Sequence, residues 1–249
     1  MKLLIAPGTS LAAVAVAGGR TAQPPATDSV WVAQLHSINE KAWKTRAYGK
    51  VRFTEHADSL TIHVHMEGMP PDIEHWQHFH GFPDGRQSVC PTIAADTSHD
   101  GLIDILETSP AAGTMMVPFN ADPVGMDIPT HTYPHAGNTG RYAYTKTVSL
   151  SALQRAFGGV YTGGHIDLSR RVAMVHGVPE SIALPATVSS LGPIPSRITL
   201  PLAWRAPAPA AVLPHAAWLH SLQSENADSY APARGRNSTP PHLRRRRFG

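Results

Sequence analysis

Apolar and polar side chains alternate along several short segments of this chain. In the clearest segment, residues 60–66, Leu60, Ile62, Val64 and Met66 are separated by polar residues. Successive side chains of a β-strand point to opposite faces, so a period of two indicates a strand with one buried face. We predict strands over residues 30–36, 49–56, 60–66, 75–82, 142–148, 171–176 and 197–202.

The segments between these strands predict turns, one long loop and one short helix. Seven prolines spread over residues 83–141 argue against long regular elements there, so we expect a long inserted loop. Residues 149–157 form a candidate helix that ends at Gly158-Gly159. With 20 Gly and 23 Pro in the chain, the pattern favours an all-β fold over a helical bundle.

The net charge of +3 comes from the C-terminal part of the chain. Seven arginines and two acidic residues follow residue 204, so residues 1–204 carry a net charge of −2. This mildly acidic balance removes the argument for a nucleic-acid partner. No stretch of 18 apolar residues occurs, so we expect no membrane-spanning helix.

The two ends of the chain differ in composition from its centre. Lys2, the mostly apolar stretch 3–17 and the small residues at 15 and 17 form an export pattern, which predicts a secreted or periplasmic protein. Residues 205–249 contain six prolines and a run of four arginines, a composition typical of disorder. We therefore divide the chain into a signal peptide and linker (1–22), a folded domain (29–204) and a disordered basic tail (205–249).

Histidines provide the candidate chemistry. The chain contains 15 histidines, and residues 75–80 read H-W-Q-H-F-H. On a strand, His78 and His80 would point to the same face, about 7 Å apart along the backbone. Two imidazoles at this spacing can chelate one ion, and imidazole suits copper or zinc. The alternative is a pair of solvated strand histidines, as His63 and His65 would be.

Several segments in order resemble the copper/zinc superoxide dismutase family. Residues 49–80 contain G-K-V-R-F, a G-M-P-P turn and H-x-x-H-x-H, and residues 167–176 end in R-V-A-M-V-H. Cys90 and the final strand at 196–203 occupy similar places. The same order also resembles the CHRD domain. The resemblance implies an immunoglobulin-like, Greek-key β-sandwich of the superoxide dismutase type with a long inserted loop.

The resemblance also implies roles for individual residues. His176 would join His78 and His80 as a copper ligand, and Arg197 would attract the anionic substrate, superoxide. The family's zinc-ligand cluster has no counterpart, because C-P-T-I-A-A stands at residues 90–95, and zinc is therefore not expected. Histidines of the long connecting segments are candidates for a fourth copper ligand: His99, His131, His135 and His165.

Two functions follow from this pattern. The first is copper-dependent superoxide dismutation, favoured by the order H-x-x-H-x-H and then R-x-x-x-x-H. The second is a non-catalytic, CHRD-like, calcium-stabilised binding or structural module outside the cytoplasm. The missing zinc cluster favours the second function, as does Trp204, which stands where the family's second disulfide cysteine is expected.

A separate motif within the long loop predicts calcium binding. Residues 96–107 follow the spacing of an EF-hand calcium loop, with Gly101 at the sharp-turn position and a glutamate at the twelfth position. Calcium needs six to eight oxygen ligands to replace its water, which explains the many oxygen-bearing side chains in this motif. The alternative is a polar turn that leads into a short helix. The candidate ligands are Asp96, Ser98, Asp100, Leu102, Asp104 and Glu107.

Overall fold

The structure, a computed structural model, describes residues 28–210. The predicted signal peptide (1–22) and residues 211–249 of the predicted tail lie outside the described residues. The strands are β1 (Ser29–Ser37), β2 (Tyr48–His56), β3 (Ser59–Glu67), β4 (Gln77–Gly81), β5 (Thr114–Pro118), β6 (Tyr142–Ser149), β7 (Val172–His176), β8 (Pro201–Arg205) and β9 (Ala208–Pro209). The helices are α1 (Ile105–Ala112), α2 (Leu150–Val160) and α3 (Ser196–Thr199), with three short 3-10 turns.

All the strands belong to one antiparallel sheet that curls over itself. The strand order is β5-β4-β7-β8-β1-β2-β3-β6, and β9 also pairs with β1. Strand β1 joins the two halves, because residues 29–35 pair with β2 and residues 36–37 pair with β8. The prediction of an all-β, sandwich-like fold is confirmed, and the Greek-key type stays a prediction.

Three phenylalanines fill the space between the two halves of the sheet. Phe53 of β2 makes edge-to-face contacts with Phe79 of β4 and with Phe119, at ring-centre distances of 6.3 and 5.7 Å. All three side chains are buried within the largest apolar cluster. Aromatic pairs in this geometry contribute about 0.5–1.5 kcal/mol beyond the area they bury. They hold β4 against β2 across the core.

The structure differs from the predicted elements at four places. Strand β4 begins at Gln77 rather than at residue 75, and the long loop contains the additional strand β5. Helix α2 continues through Gly158-Gly159 to Val160. Residues 196–199 form the short helix α3, so the last predicted strand begins only at Pro201.

The ordered sheet extends past the predicted end of the domain. Strand β8 reaches Arg205, and Ala208 of β9 pairs with Val32 of β1. These residues were assigned to the basic tail because their sequence is rich in proline. Pairing at a sheet edge tolerates proline, so proline does not prevent β9 from forming there.

Within residues 28–210, no helix is long and apolar enough to cross a membrane.

Gly113, between α1 and β5, occupies a conformation that other residues avoid. Its φ of 81° and ψ of −160° lie in a region used essentially by glycine alone. A Cβ atom there would also overlap the backbone carbonyl oxygen of Gly81. We therefore expect Gly113→Ala to lower the free energy of unfolding by about 2 kcal/mol or more, measured by chemical denaturation.

Gly85→Ala is the matched control for this substitution. Gly85 also has a positive φ, of 76°, but a Cβ there would meet no atom within 4 Å. Gly85→Ala should lower the free energy of unfolding by about 1 kcal/mol, from backbone conformation alone. Equal losses in the two variants would contradict the close approach of Gly113 to β4.

Candidate metal centre

Strand β4 is buried on both faces. All five of its residues are inaccessible to solvent, and alternate side chains point to opposite sides of the sheet. Phe79 faces the main core, and the neighbouring Gln77 donates to the Phe119 carbonyl. His78 and His80 therefore point to the other face, as the sequence predicts. Residues of two connections, from β4 to β6 and from β7 to β8, pack on that side of the sheet.

The structure brings His176 to the same face, beside the two histidines of β4. The ring centre of His78 lies 4.9 Å from that of His80 and 4.7 Å from that of His176. One ligand nitrogen from each ring lies within 4.8 Å of the others, and all three side chains have an exposed fraction of 0%. An imidazole pair on β4 and a third imidazole about a hundred residues later in the sequence thus form one compact, buried cluster.

Backbone carbonyl groups orient two of the three rings. The Nδ1 atom of His176 donates to the Thr199 carbonyl at 2.7 Å, and Nδ1 of His80 donates to the Gly113 carbonyl at 3.2 Å. A carbonyl oxygen only accepts, so in these two neutral rings each Nδ1 carries the hydrogen and each Nε2 carries a lone pair instead. Hydrogen bonding of this kind is what fixes the tautomer and the orientation of metal-binding histidines.

Two nitrogens of the cluster have no hydrogen-bond partner. They are Nδ1 of His78 and Nε2 of His176, and both are fully buried. The Nε2 atoms of His78 and His80 lie 3.1 Å apart. Because His80 carries its hydrogen on Nδ1, the Nε2 atom of His78 donates to the Nε2 atom of His80. A buried polar atom without a partner costs about 1–3 kcal/mol. A metal ion is one group that would use the lone pairs of these two buried nitrogens.

Burial keeps the three rings neutral. Loss of hydration lowers the pKa of His80 to about 4 and that of His176 to about 3, and it lowers the pKa of His78 well below its usual range. Repulsion between neighbouring rings lowers the pKa of His78 and His176 further. Neutral imidazole is the form that binds a metal, so these nitrogens are available as ligands at neutral pH.

Apolar side chains enclose the cluster. Val172 and Met174 share its face of β7 and pack with Ile103 and Trp204. Trp76, which precedes β4, stacks on Tyr133 with ring centres 5.5 Å apart. Such a dry environment strengthens electrostatic interactions within it. The geometry, burial and chemistry of the three histidines therefore fit a transition metal, and nitrogen ligands suit copper or zinc.

His75 has a different role from the other histidines of its motif. Its Nδ1 and Nε2 atoms lie 3.0 and 2.9 Å from the carbonyl oxygens of His176 and Pro70. His75 therefore contacts the backbone that positions the His176 ring. The H-x-x-H-x-H pattern marked this residue, but nothing in the sequence showed that its partners would be carbonyl groups.

The remaining predicted ligands of this centre lie elsewhere. Among the residues that the structure describes, His78, His80 and His176 are the group of His, Cys, Asp and Glu side chains with metal-binding proximity. The candidates for a fourth histidine ligand are not part of that group, and all have exposed side chains: His99, His131, His135 and His165.

Arg197 lies in α3, two residues before the Thr199 carbonyl that orients His176. Its guanidinium forms an ion pair with Glu180 at 2.8 Å, and 38% of the side chain is exposed. The residue is therefore near the element that supports the cluster, and its charge is already paired. Its role in attracting an anion stays a prediction.

The acidic loop folds as a tight turn that leads into α1. The Asp96 carboxylate accepts from the N–H groups of Asp100 and Gly101, at 3.2 and 2.8 Å, and from the Ser98 hydroxyl at 3.2 Å. Gly101 has a φ of 83°, which explains the glycine at this position. The Leu102 N–H donates to the Asp100 carboxylate.

Backbone N–H groups also donate to the carboxylates of the other two acidic residues of this loop, Asp104 and Glu107. Asp104 caps α1 by accepting from Leu106 and Glu107. One Glu107 oxygen accepts from Thr97 and Ser98, and the other accepts from Asp104. A calcium ion would have to replace several of these hydrogen bonds. Calcium binding by this loop stays a prediction.

No protein-family model matches the sequence, and no curated protein matches it at a significant level. The resemblance to superoxide dismutases and CHRD domains therefore depends on the motifs themselves.

The depressed pKa of the buried histidines predicts a fold that is sensitive to acid. In the unfolded chain His80 takes up a proton near its ordinary pKa of 6.5, whereas in the folded protein it does so at about 4. Its contribution to stability is therefore complete above pH 6.5 and is lost as the pH falls toward 4. This difference adds up to about 1.4 kcal/mol per pH unit to the slope of unfolding free energy.

We expect His80→Asn to flatten that slope between pH 6.5 and 4, measured in the metal-free protein by chemical denaturation at a series of pH values. His36, whose side chain is exposed on β1, provides the control, and His36→Asn should leave the slope nearly unchanged. A slope unaffected by His80→Asn would mean that the ring is already protonated or accessible in the folded protein.

Proposed function

We propose that this protein is an exported copper-binding protein of the superoxide dismutase type, in which His78, His80 and His176 hold one copper ion. The observation that carries the proposal is the convergence of three buried imidazoles with two unpartnered nitrogens. The export pattern and the ordered motifs of the sequence supply the cellular location and the likeness to the enzyme family. Copper is favoured over zinc by that likeness.

The chain's own residues supply a rigid ligand frame. The carbonyl groups of Gly113 and Thr199 fix two of the rings, and pairing of β4 with β7 fixes their spacing. Copper bound there would supply one-electron redox chemistry, with superoxide as the small anionic substrate. Arg197 is the proposed residue for attracting this anion, once its pairing with Glu180 is relaxed.

A non-catalytic, CHRD-like module is the second candidate. The observation that favours it is the exposed fraction of 0% for all three histidines, because turnover requires a path by which the anion reaches the metal. Calcium bound by the acidic loop would then stabilise the module. The two candidates share the histidine cluster and differ in turnover.

If one copper ion is bound by all three histidines, substitutions far apart in the sequence should weaken copper binding equally. His176→Ala and His80→Ala should each weaken copper binding by at least about tenfold, because each removes one nitrogen ligand. Binding is measured by competition with a chelator, and bound metal by elemental analysis at a ratio of one per chain. Unchanged affinity in His176→Ala would contradict the proposal.

His63→Ala provides the matched control. His63 lies on the outer face of β3, where its ring pairs with the Thr145 hydroxyl, and its substitution should not affect the copper affinity.

Superoxide turnover by the copper-loaded protein distinguishes the two functions. A rate that tracks copper content and falls with rising salt supports the enzyme, whereas copper binding without turnover supports the module.

Calcium binding by the acidic loop predicts a higher melting temperature. An ion that binds only the folded state stabilises it by about 2.7 kcal/mol at a hundred times its dissociation constant. Glu107→Gln removes a charged ligand and should abolish most of the rise, measured by thermal denaturation with added calcium or chelator. A melting curve that does not change up to millimolar calcium would exclude this site.

A further inference from the structure

A methionine lies among the three histidines on the same face of the sheet. Met174 of β7 is the direct cross-strand partner of His78 in β4, and it precedes His176 by two residues on its own strand. Directly opposed residues of an antiparallel pair point to the same face, with Cβ atoms about 4.5–5.5 Å apart. Met174 is therefore the immediate neighbour of two of the three candidate ligands.

The Met174 side chain is buried and apolar in its contacts. Its exposed fraction is 0%, and it packs with Ile103, Ala112, Val172 and Trp204. Methionine is unbranched and has three rotatable side-chain bonds, so its sulfur can move toward a neighbouring site without moving the backbone. Met174 thus borders the cluster, and its thioether is shielded from water.

The cluster lacks a charged ligand. Among residues 28–210, its metal-binding group contains three histidines and no carboxylate or thiolate. A monovalent ion in such a dry, neutral site costs about a quarter of the charging energy of a divalent ion, since that energy rises with the square of the charge. Thioether sulfur is also a soft ligand that selects Cu(I).

We propose that the Met174 sulfur is a fourth ligand of this site and that the site binds Cu(I) more tightly than Cu(II). The proposal rests on the proposed function, and it names the ligand and the oxidation state that the neighbouring residues favour. A single methionine in place of a charged ligand stabilises the reduced ion relative to the oxidised one. The bound copper should therefore have a raised reduction potential.

Met115 is the natural comparison. It is the cross-strand partner of His80 in β5, but it packs with Trp76, Ile105 and Tyr133. It borders one histidine of the cluster, whereas Met174 borders two. Met115→Leu is therefore a matched control, because it removes a buried thioether of the same size from the other side of the histidine pair.

The test uses Met174→Leu, which keeps the volume of the side chain and should fold. X-ray absorption of the full-length protein loaded with Cu(I) should show one sulfur scatterer, which disappears in Met174→Leu and persists in Met115→Leu. The Cu(I) affinity of Met174→Leu should fall by at least about tenfold, the Cu(II) affinity should change by less than about threefold, and the reduction potential should fall.

The possible outcomes separate this inference from the function that it deepens. A nitrogen-only shell for Cu(I) in the unmodified protein, with equal affinities in both leucine variants, would overturn the role of Met174 and leave the three-histidine site in place. Loss of the sulfur signal in Met115→Leu instead would assign the ligand to β5 and also overturn the proposal. Failure of the unmodified protein to bind copper in either oxidation state would overturn both.

Discussion

The structure depends on a short strand that is buried on both of its faces. In β4, Phe79 packs on Phe53 in the core, while His78 and His80 point into a second enclosed layer. The period of two makes these arrangements inseparable, because a shift of one residue would place imidazoles in the core and an aromatic ring in the candidate centre. The register of β4 against β7 therefore fixes the core and the site together.

This arrangement is costly unless the site has a ligand. Five buried side-chain N or O atoms in the described residues lack a hydrogen-bond partner, and two of them belong to His78 and His176. Apolar side chains of similar size would fill the same layer without that cost. The carbonyl groups of Gly113 and Thr199 nevertheless hold the rings in one tautomer. Orientation of neutral rings toward a shared centre is the feature that packing alone does not explain.

Part of the fold could be predicted from the sequence, because some of its strands alternate between apolar and polar residues. Strand β3 is the best example, since its apolar residues are buried and the polar residues between them are half-buried or exposed, as the pattern requires. The sequence pattern does not predict strand β5. Its residues M-M-V form a continuous apolar run that ends in proline, and such a run has no period of two. The last predicted strand, residues 197–202, includes residues that form one helical turn, α3.

The site was predictable in part. The H-x-H spacing identified the shared face of His78 and His80 from geometry alone, whereas only the family resemblance pointed to His176. Nothing local to residue 176 indicates its partners, because their meeting depends on the order of β4 and β7 in the sheet. The backbone carbonyl groups that orient the rings carry no side-chain signal at all. Long-range pairing and main-chain hydrogen bonds are what the sequence patterns could not show.

The burial that makes the rings good ligands also links metal binding to protons. A proton and a metal ion would use the same lone pairs, so each disfavours the other. Burial lowers the pKa of His176 to about 3, which leaves the nitrogen unprotonated at neutral and mildly acidic pH. Bound metal would stabilise the folded state further, since the unfolded chain lacks the assembled site. Acid would then act twice, by protonating unfolded histidines and by releasing the ion. If the cluster holds a metal ion, the stability of this sheet at low pH would depend on that occupancy, and the strand that organises the core would also set the dependence.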